Sequence, residues 1–215
     1  MSVSLDQVME MPNAAILAQR IESALREEQE KRRHFYEIVE EDTKIEFING
    51  EIVFQSPAKL RHTSAVKYLT NLLNNFVVRH DLGYVGGEKM LISLTRNDYE
   101  PDICFFSKAK SADFTSDQMQ FPAPDLVVEV RSPLTETYDR ETKFQDYAAH
   151  GIREYWIIDP EHEMIEQYIL QKEEYELFVK AKDGHIESVV LQGFSISIRA
   201  VFDAIVNLEE LKKFI

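Results

Sequence analysis

Two acids and a lysine, far apart along the chain, are the residues whose types and spacing could do chemistry. Asp102 follows Pro101 at the start of a short apolar run, and Glu129 sits inside the run DLVVEV among Leu126, Val127, Val128 and Val130. A carboxylate in such a run either turns into a cleft or is desolvated on the core side, where unpaired burial is costly. Strand alternation puts Val127, Glu129 and Arg131 on one face and Leu126, Val128 and Val130 on the other. If 102–106 and 125–130 pair as neighbouring strands across the excursion 107–124, Asp102 and Glu129 project from nearby points. Two hard oxygen ligands and a backbone carbonyl, that of Val130, suit Mg²⁺ (or Mn²⁺), leaving positions for water and a substrate phosphate. Such an ion polarises a phosphoryl oxygen and lowers the pKa of an attacking water. The competing reading is a plain salt bridge from Glu129 to Arg131 or Lys143.

Lys143 falls on a predicted helix, 139–150, whose apolar face is marked by Phe144, Tyr147 and Ala148. At the border of that face its ammonium could reach back over the sheet and stabilise an attacking hydroxide or the charge of a pentavalent phosphate. An ordinary exposed helical lysine, paired with Asp139 at i,i+4, is the alternative. His62 opens a second predicted helix and could contact phosphate or polarise water; a surface histidine is the plainer reading. Glu46 and Glu51 flank a hairpin and could add a third carboxylate, with Glu46 the better placed. Lys59, Arg61, Lys67, Arg131 and Arg140 are the candidates for phosphate contacts.

The elements that must position these residues are legible from periodicity. Residues 4–33 read as a helix, with Leu5, Val8, Met9, Ile16, Leu17, Ile21 and Leu25 at intervals of about three to four. Its charged end, Arg26 to His34, reads as solvated, and the segment is either an arm for a second subunit or a helix on its own domain. Asn49-Gly50 between apolar runs predicts a hairpin over 45–54. Residues 61–80 form an amphipathic helix with Ala65, Tyr68, Leu69, Leu72, Leu73, Phe76 and Val77 on one face. Strands are expected at 89–94, 102–106, 125–130, 154–158, 163–170, 174–180 and 186–191, turns at 81–83 and 95–98, and a short helix near 200–206. This order predicts an α/β or α+β fold: a mixed sheet flanked by helices, with an N-terminal helical extension.

Composition sets the bounds. The chain has 215 residues, with 24 Lys plus Arg against 38 Asp plus Glu, a formal net charge of -14. This argues against a protein coated in basic surface for bulk nucleic-acid binding but leaves room for a local basic strip. One cysteine, Cys104, rules out an internal disulfide and any multi-cysteine zinc site. No apolar run approaches the ~20 residues that span a bilayer, and no secretory signal is evident; the expectation is a cytoplasmic protein with no membrane partner.

The stretches EFINGEIVFQSP…RH, YEPDICFF, PDLVVEVRSP and DRETKFQDYAAHGIREYWIIDP, in that order, resemble the Uma2 family of bacterial proteins, labelled restriction endonucleases and placed in the PD-(D/E)XK nuclease superfamily. The resemblance runs over about 36–206. It implies a restriction-endonuclease-like core over 35–215, with 1–34 as the extension. Residue by residue it implies that Asp102 and Glu129 are the metal-binding acids, Lys143 the helical lysine, His62 the histidine after the SP turn and Glu46 the early glutamate. The superfamily motif expects a lysine two residues after the second acid, where this chain has Arg131; Lys143 fits a lysine that has migrated to the following helix. The expected function is a Mg²⁺-dependent endonuclease acting on DNA, working as a homodimer. The alternatives are a catalytically silent nucleic-acid-binding or regulatory module on the same fold, and a structural dimer assembled through its N-terminal helix.

Overall fold

A computed structural model describes residues 4–39, 43–132 and 137–215; the first three residues of the expected extension and two short internal stretches lie outside it. In chain order the elements are helices α1 (Leu5–Met9) and α2 (Ala14–Ile38), strands β1 (Ile45–Ile48) and β2 (Glu51–Phe54), helix α3 (Leu60–Arg79), strands β3 (Gly83–Gly87), β4 (Leu91–Ser93), β5 (Asp98–Tyr99) and β6 (Ile103–Ser107), and helix α4 (Lys108–Ser111). There follow β7 (Gln120–Phe121), β8 (Leu126–Val130), a π-helical turn (Tyr138–Thr142) running into α5 (Lys143–Ala149), and strands β9 (Glu154–Asp159), β10 (Met164–Gln171), β11 (Glu174–Ala181), β12 (His185–Glu187) and β13 (Ser195–Ser197). A 3₁₀ turn (Ile198–Val201) leads into α6 (Ala204–Leu211), whose N-cap Asp203 accepts from the Ile205 and Val206 amides.

The central sheet has the order β11-β10-β9-β8-β6-β3. It is antiparallel except at β8–β9, the pair joined by the π-turn and α5 as a crossover. The expected pairing of the two acid-bearing segments is present: Ile103 stands opposite Val128 and Cys104 opposite Val127. Leu126, Val128 and Val130 face a core shared with α3, α6 and the 186–201 segment. Val127 faces a second core made by α5 and the smaller sheet β2-β1-β5-β4-β7. The mixed sheet with flanking helices is therefore as expected.

Differences from expectation have local causes. The helix predicted over 4–33 is interrupted at 10–13, where Pro12 lacks the N–H that a continuous helix requires, and it continues past residue 34 to Ile38. Its charged end is not solvated throughout. Arg32 crosses to the Asp98 carboxylate at 2.6 and 2.8 Å and reaches the Leu94, Thr95 and Asn97 carbonyls, while Phe35 is buried against Phe47. The glycine-rich β3 was not expected as a strand; three of its five residues are glycine, which weakens the strand signal of Tyr84 and Val85, and it forms at the sheet edge. The strand predicted over 186–191 is confined to 185–187, pairing with the unexpected β13. At the hairpin, Asn49 and Gly50 both have positive φ, 52° and 82°, as the two-residue turn demands.

Arg32 is the bolt between α2 and the small sheet. Arg32→Ala would leave Asp98, fully buried, without its guanidinium, and we expect a loss of about 3 kcal/mol in urea unfolding. A change below about 0.5 kcal/mol would show that α2 is held by its other contacts, such as Glu28 with Arg96 at 2.7 Å, and not by Arg32.

Candidate active site

Asp102 ends the approach to β6, and Glu129 is the penultimate residue of β8. Their side chains reach the floor of one cleft of about 580 Å³, also lined by Lys44, Lys59, Arg61, His62, Glu88, Glu100, Val130, Arg131, Lys143, Asp159 and Glu161. Lys143 is not an exposed helical lysine. Only 2% of its side chain is exposed, and its Nζ stands 2.9 Å from Glu129 Oε1, 2.9 Å from Glu46 Oε1 and 3.5 Å from Asp139 Oδ1. The pairing of Glu129 falls to Lys143 and not to Arg131, which lies 3.2 Å from Asp159 Oδ2. Tyr147 donates to the same Glu129 oxygen at 3.0 Å.

Asp102 is gripped on both oxygens. Lys44 Nζ is 3.0 Å from Oδ1. The Val130 amide donates to Oδ2 at 2.8 Å, and His62 Nε2 is 3.2 Å from the same atom. Val130 thus presents its N–H to the first acid, a contact the strand pattern did not disclose. His62 Nδ1 is buried and has no hydrogen-bond partner among the described residues. Glu46 is in the site, accepting also from Gln55 and the Glu100 amide. Glu51, by contrast, is exposed and paired with Lys31 at 3.2 Å. Lys67 and Arg140 do not line the cleft; Arg140 makes a two-pronged bond to Glu166 at 2.8 and 2.9 Å on another face.

Glu46, Asp102, Glu129 and Asp139 are buried carboxylates, and two ammoniums, Lys44 and Lys143, contact them. Burial and the neighbouring carboxylates push Glu129 up to about 8 despite Lys143. Burial and the charge of Glu46 push Glu100 up to about 7. For Lys143, burial works against the charged form, but Glu129, Glu46 and Asp139 override it and hold the ammonium charged. Burial alone would raise Asp102, yet the His62 hydrogen bond and the Lys44 charge hold it well below the carboxylate range. A dense set of carboxylate oxygens with surplus negative charge fits a hard divalent cation. His62, Glu88 and Asp102 present ligand atoms within 4.8 Å of one another; among the described residues this is the one such group, and Glu129 stands outside it with Oε1 on Lys143 and Tyr147.

A π-turn delivers Lys143. In an α-helix the Asp139 carbonyl would accept from the Lys143 amide. Here that amide donates to Tyr138, five residues back, and the Asp139 carbonyl accepts from the buried Tyr155 hydroxyl at 3.0 Å. Sequence periodicity gave no sign of this exchange, because the donor comes from β9. Lys44, Glu88, Glu100 and Tyr147 are further participants: Tyr147 lies on the expected apolar face, Glu100 lies inside the YEPDICFF stretch but carried no role, and Lys44 and Glu88 lie outside every quoted stretch.

The family described as "Uma2: Putative restriction endonuclease" matches residues 30–199. Among solved structures, "a putative nuclease belonging to DUF820 from Anabaena variabilis" is similar to this chain with a TM-score of 0.67 and 20% sequence identity, covering 78% of this chain and 94% of that one. That likeness is one of fold. No curated protein matches the chain. Among the described residues, no helix is long and apolar enough to cross a membrane.

Two outcomes follow from the geometry. Tyr155→Phe removes the donor to the Asp139 carbonyl and should cost about 1–3 kcal/mol in urea unfolding; an unchanged midpoint would show that the π-turn does not need the hydroxyl. Glu129 and Glu100 bind protons in the folded chain up to about 8 and about 7, against 4.5 when unfolded, so their contribution is complete below 4.5 and is lost as pH rises through those values. Unfolding of the cation-free protein should become easier between about pH 6 and pH 9, and Glu129→Gln should flatten that fall. Stability rising with pH over the same window would contradict the assignment.

Proposed function

The chain belongs to the Uma2 family, and from that premise we propose that it is a Mg²⁺- or Mn²⁺-dependent endonuclease that hydrolyses DNA phosphodiester bonds in this cleft. The observation that carries the reading is the meeting of Asp102, Glu129 and Lys143 on one buried floor, with more negative charge than the ammoniums neutralise. In this reading Asp102, Glu129 and the Val130 carbonyl hold the cation, which when bound polarises a phosphoryl oxygen and lowers the pKa of water. Lys143, held charged, orients the water and offsets the charge that develops on the phosphate. His62 fixes Asp102 through Nε2. Glu46 holds Lys143 from behind. A water oxygen adds to phosphorus, the bond to the 3′ oxygen breaks and that oxygen takes a proton, leaving 5′-phosphate and 3′-hydroxyl ends.

Lys59, Arg61 and Arg131 at the cleft rim are assigned to the flanking phosphates. Arg61 is 3.1 Å from Glu161, and Arg131 is held by Asp159, so a nucleic-acid phosphate would compete with a carboxylate for each. The nuclease unit comprises 35–215. Leu5, Met9, Ile16, Ile21 and Leu25 are exposed along α1 and α2, which supports a homodimer formed through the N-terminal extension.

Cleavage of supercoiled plasmid, and of labelled duplex DNA beside RNA, with Mg²⁺ or Mn²⁺ tests the proposal. Cation-dependent strand scission is expected, with Asp102→Ala and Lys143→Met each slowing it about a hundredfold or more. Cleavage indifferent to both substitutions would refute the site. Nucleic-acid binding with no cleavage by the wild type would leave a silent module on a nuclease fold.

A further inference from the structure

Lys44 stands just before β1 and lines the cleft. Its ammonium is 3.0 Å from Asp102 Oδ1 and lies in the fields of Glu129 and Glu88 as well. The other Asp102 oxygen is already taken. Oδ2 accepts from the Val130 amide at 2.8 Å and has His62 Nε2 at 3.2 Å. A carboxylate oxygen offers two lone-pair directions, so Oδ2 is filled by groups fixed in β8 and α3. A cation must therefore reach Asp102 through Oδ1, the atom that Lys44 holds. An ammonium and a divalent ion on one carboxylate oxygen repel each other strongly in a desolvated cleft.

We propose that Lys44 is the resident counter-ion of this site, which a divalent cation must displace from Asp102 Oδ1 before it can bind. Cation affinity is then set by an exchange, Lys44 out and metal in, and not by the acids alone. The Lys44 side chain is suited to moving: it retains 23% exposure, whereas Lys143 retains 2% and is held by three carboxylates. The two lysines divide the work, Lys143 staying in place and Lys44 yielding. This rests on the reading that Asp102 binds a cation.

Isothermal titration of Mn²⁺ into wild type, Lys44→Met, Lys44→Gln and Lys44→Arg tests it, with thermal melts confirming that each variant is folded. Removal of the charge in Lys44→Met or Lys44→Gln should tighten Mn²⁺ binding about fivefold or more, the scale set by one ion pair that no longer has to be broken. Lys44→Arg keeps a cation on Oδ1 and should bind like the wild type. Binding seen only in the uncharged variants would support the proposal in its strongest form. Unchanged or weaker binding in the uncharged variants, beside a wild type that binds and an Asp102→Ala that does not, overturns the role of Lys44 and leaves the metal site standing. No binding by any of these proteins overturns both.

Discussion

One ammonium set among three carboxylates governs this molecule. Lys143 contacts Glu46, Glu129 and Asp139 with its side chain almost fully buried. Burying charge is costly unless it is compensated, and here the compensation is incomplete. Burial, with the neighbouring carboxylates, drives Glu129 toward its protonated form, and the surplus makes the floor of the cleft receptive to positive charge. In the metal-free chain Lys44 supplies part of that charge at Asp102. A divalent cation would supply more, and on that ground we propose a metal centre here.

The fold delivers each participant from a different element. Asp102 and Glu129 arrive on the antiparallel pair β6–β8, and Lys143 on the crossover to β9. Glu46 comes from the small sheet, which α2 fastens through Arg32 and Asp98. Tyr155 on β9 holds the π-turn from beneath. Changes far from the cleft, in α2 or in β9, therefore act on the relative position of the acids and the lysine.

The sequence made the two acid-bearing strands, their pairing and the reach of Lys143 over the sheet legible, because alternation and helical spacing are local signals. Glu46 was placed through the hairpin turn at Asn49-Gly50, and Glu51, one strand away, faces solvent. What stayed hidden depends on contacts between distant segments. The Val130 amide on Asp102, the Tyr155 hydroxyl on the Asp139 carbonyl and the Lys44 ammonium on Oδ1 leave no periodic trace. Arg32 was hidden for the same reason: within a run of charges nothing marks the one residue whose partner is buried 66 positions away.

Crystals soaked in Mn²⁺ and measured for anomalous scattering give the most direct test of a cation held by the paired acids. The expected result is a single peak within coordinating reach of both Asp102 and Glu129, with Lys143 still in place and the peak lost in Asp102→Ala. A peak on His62 and Glu88 that excludes Glu129, or no peak in the cleft at all, would contradict the account.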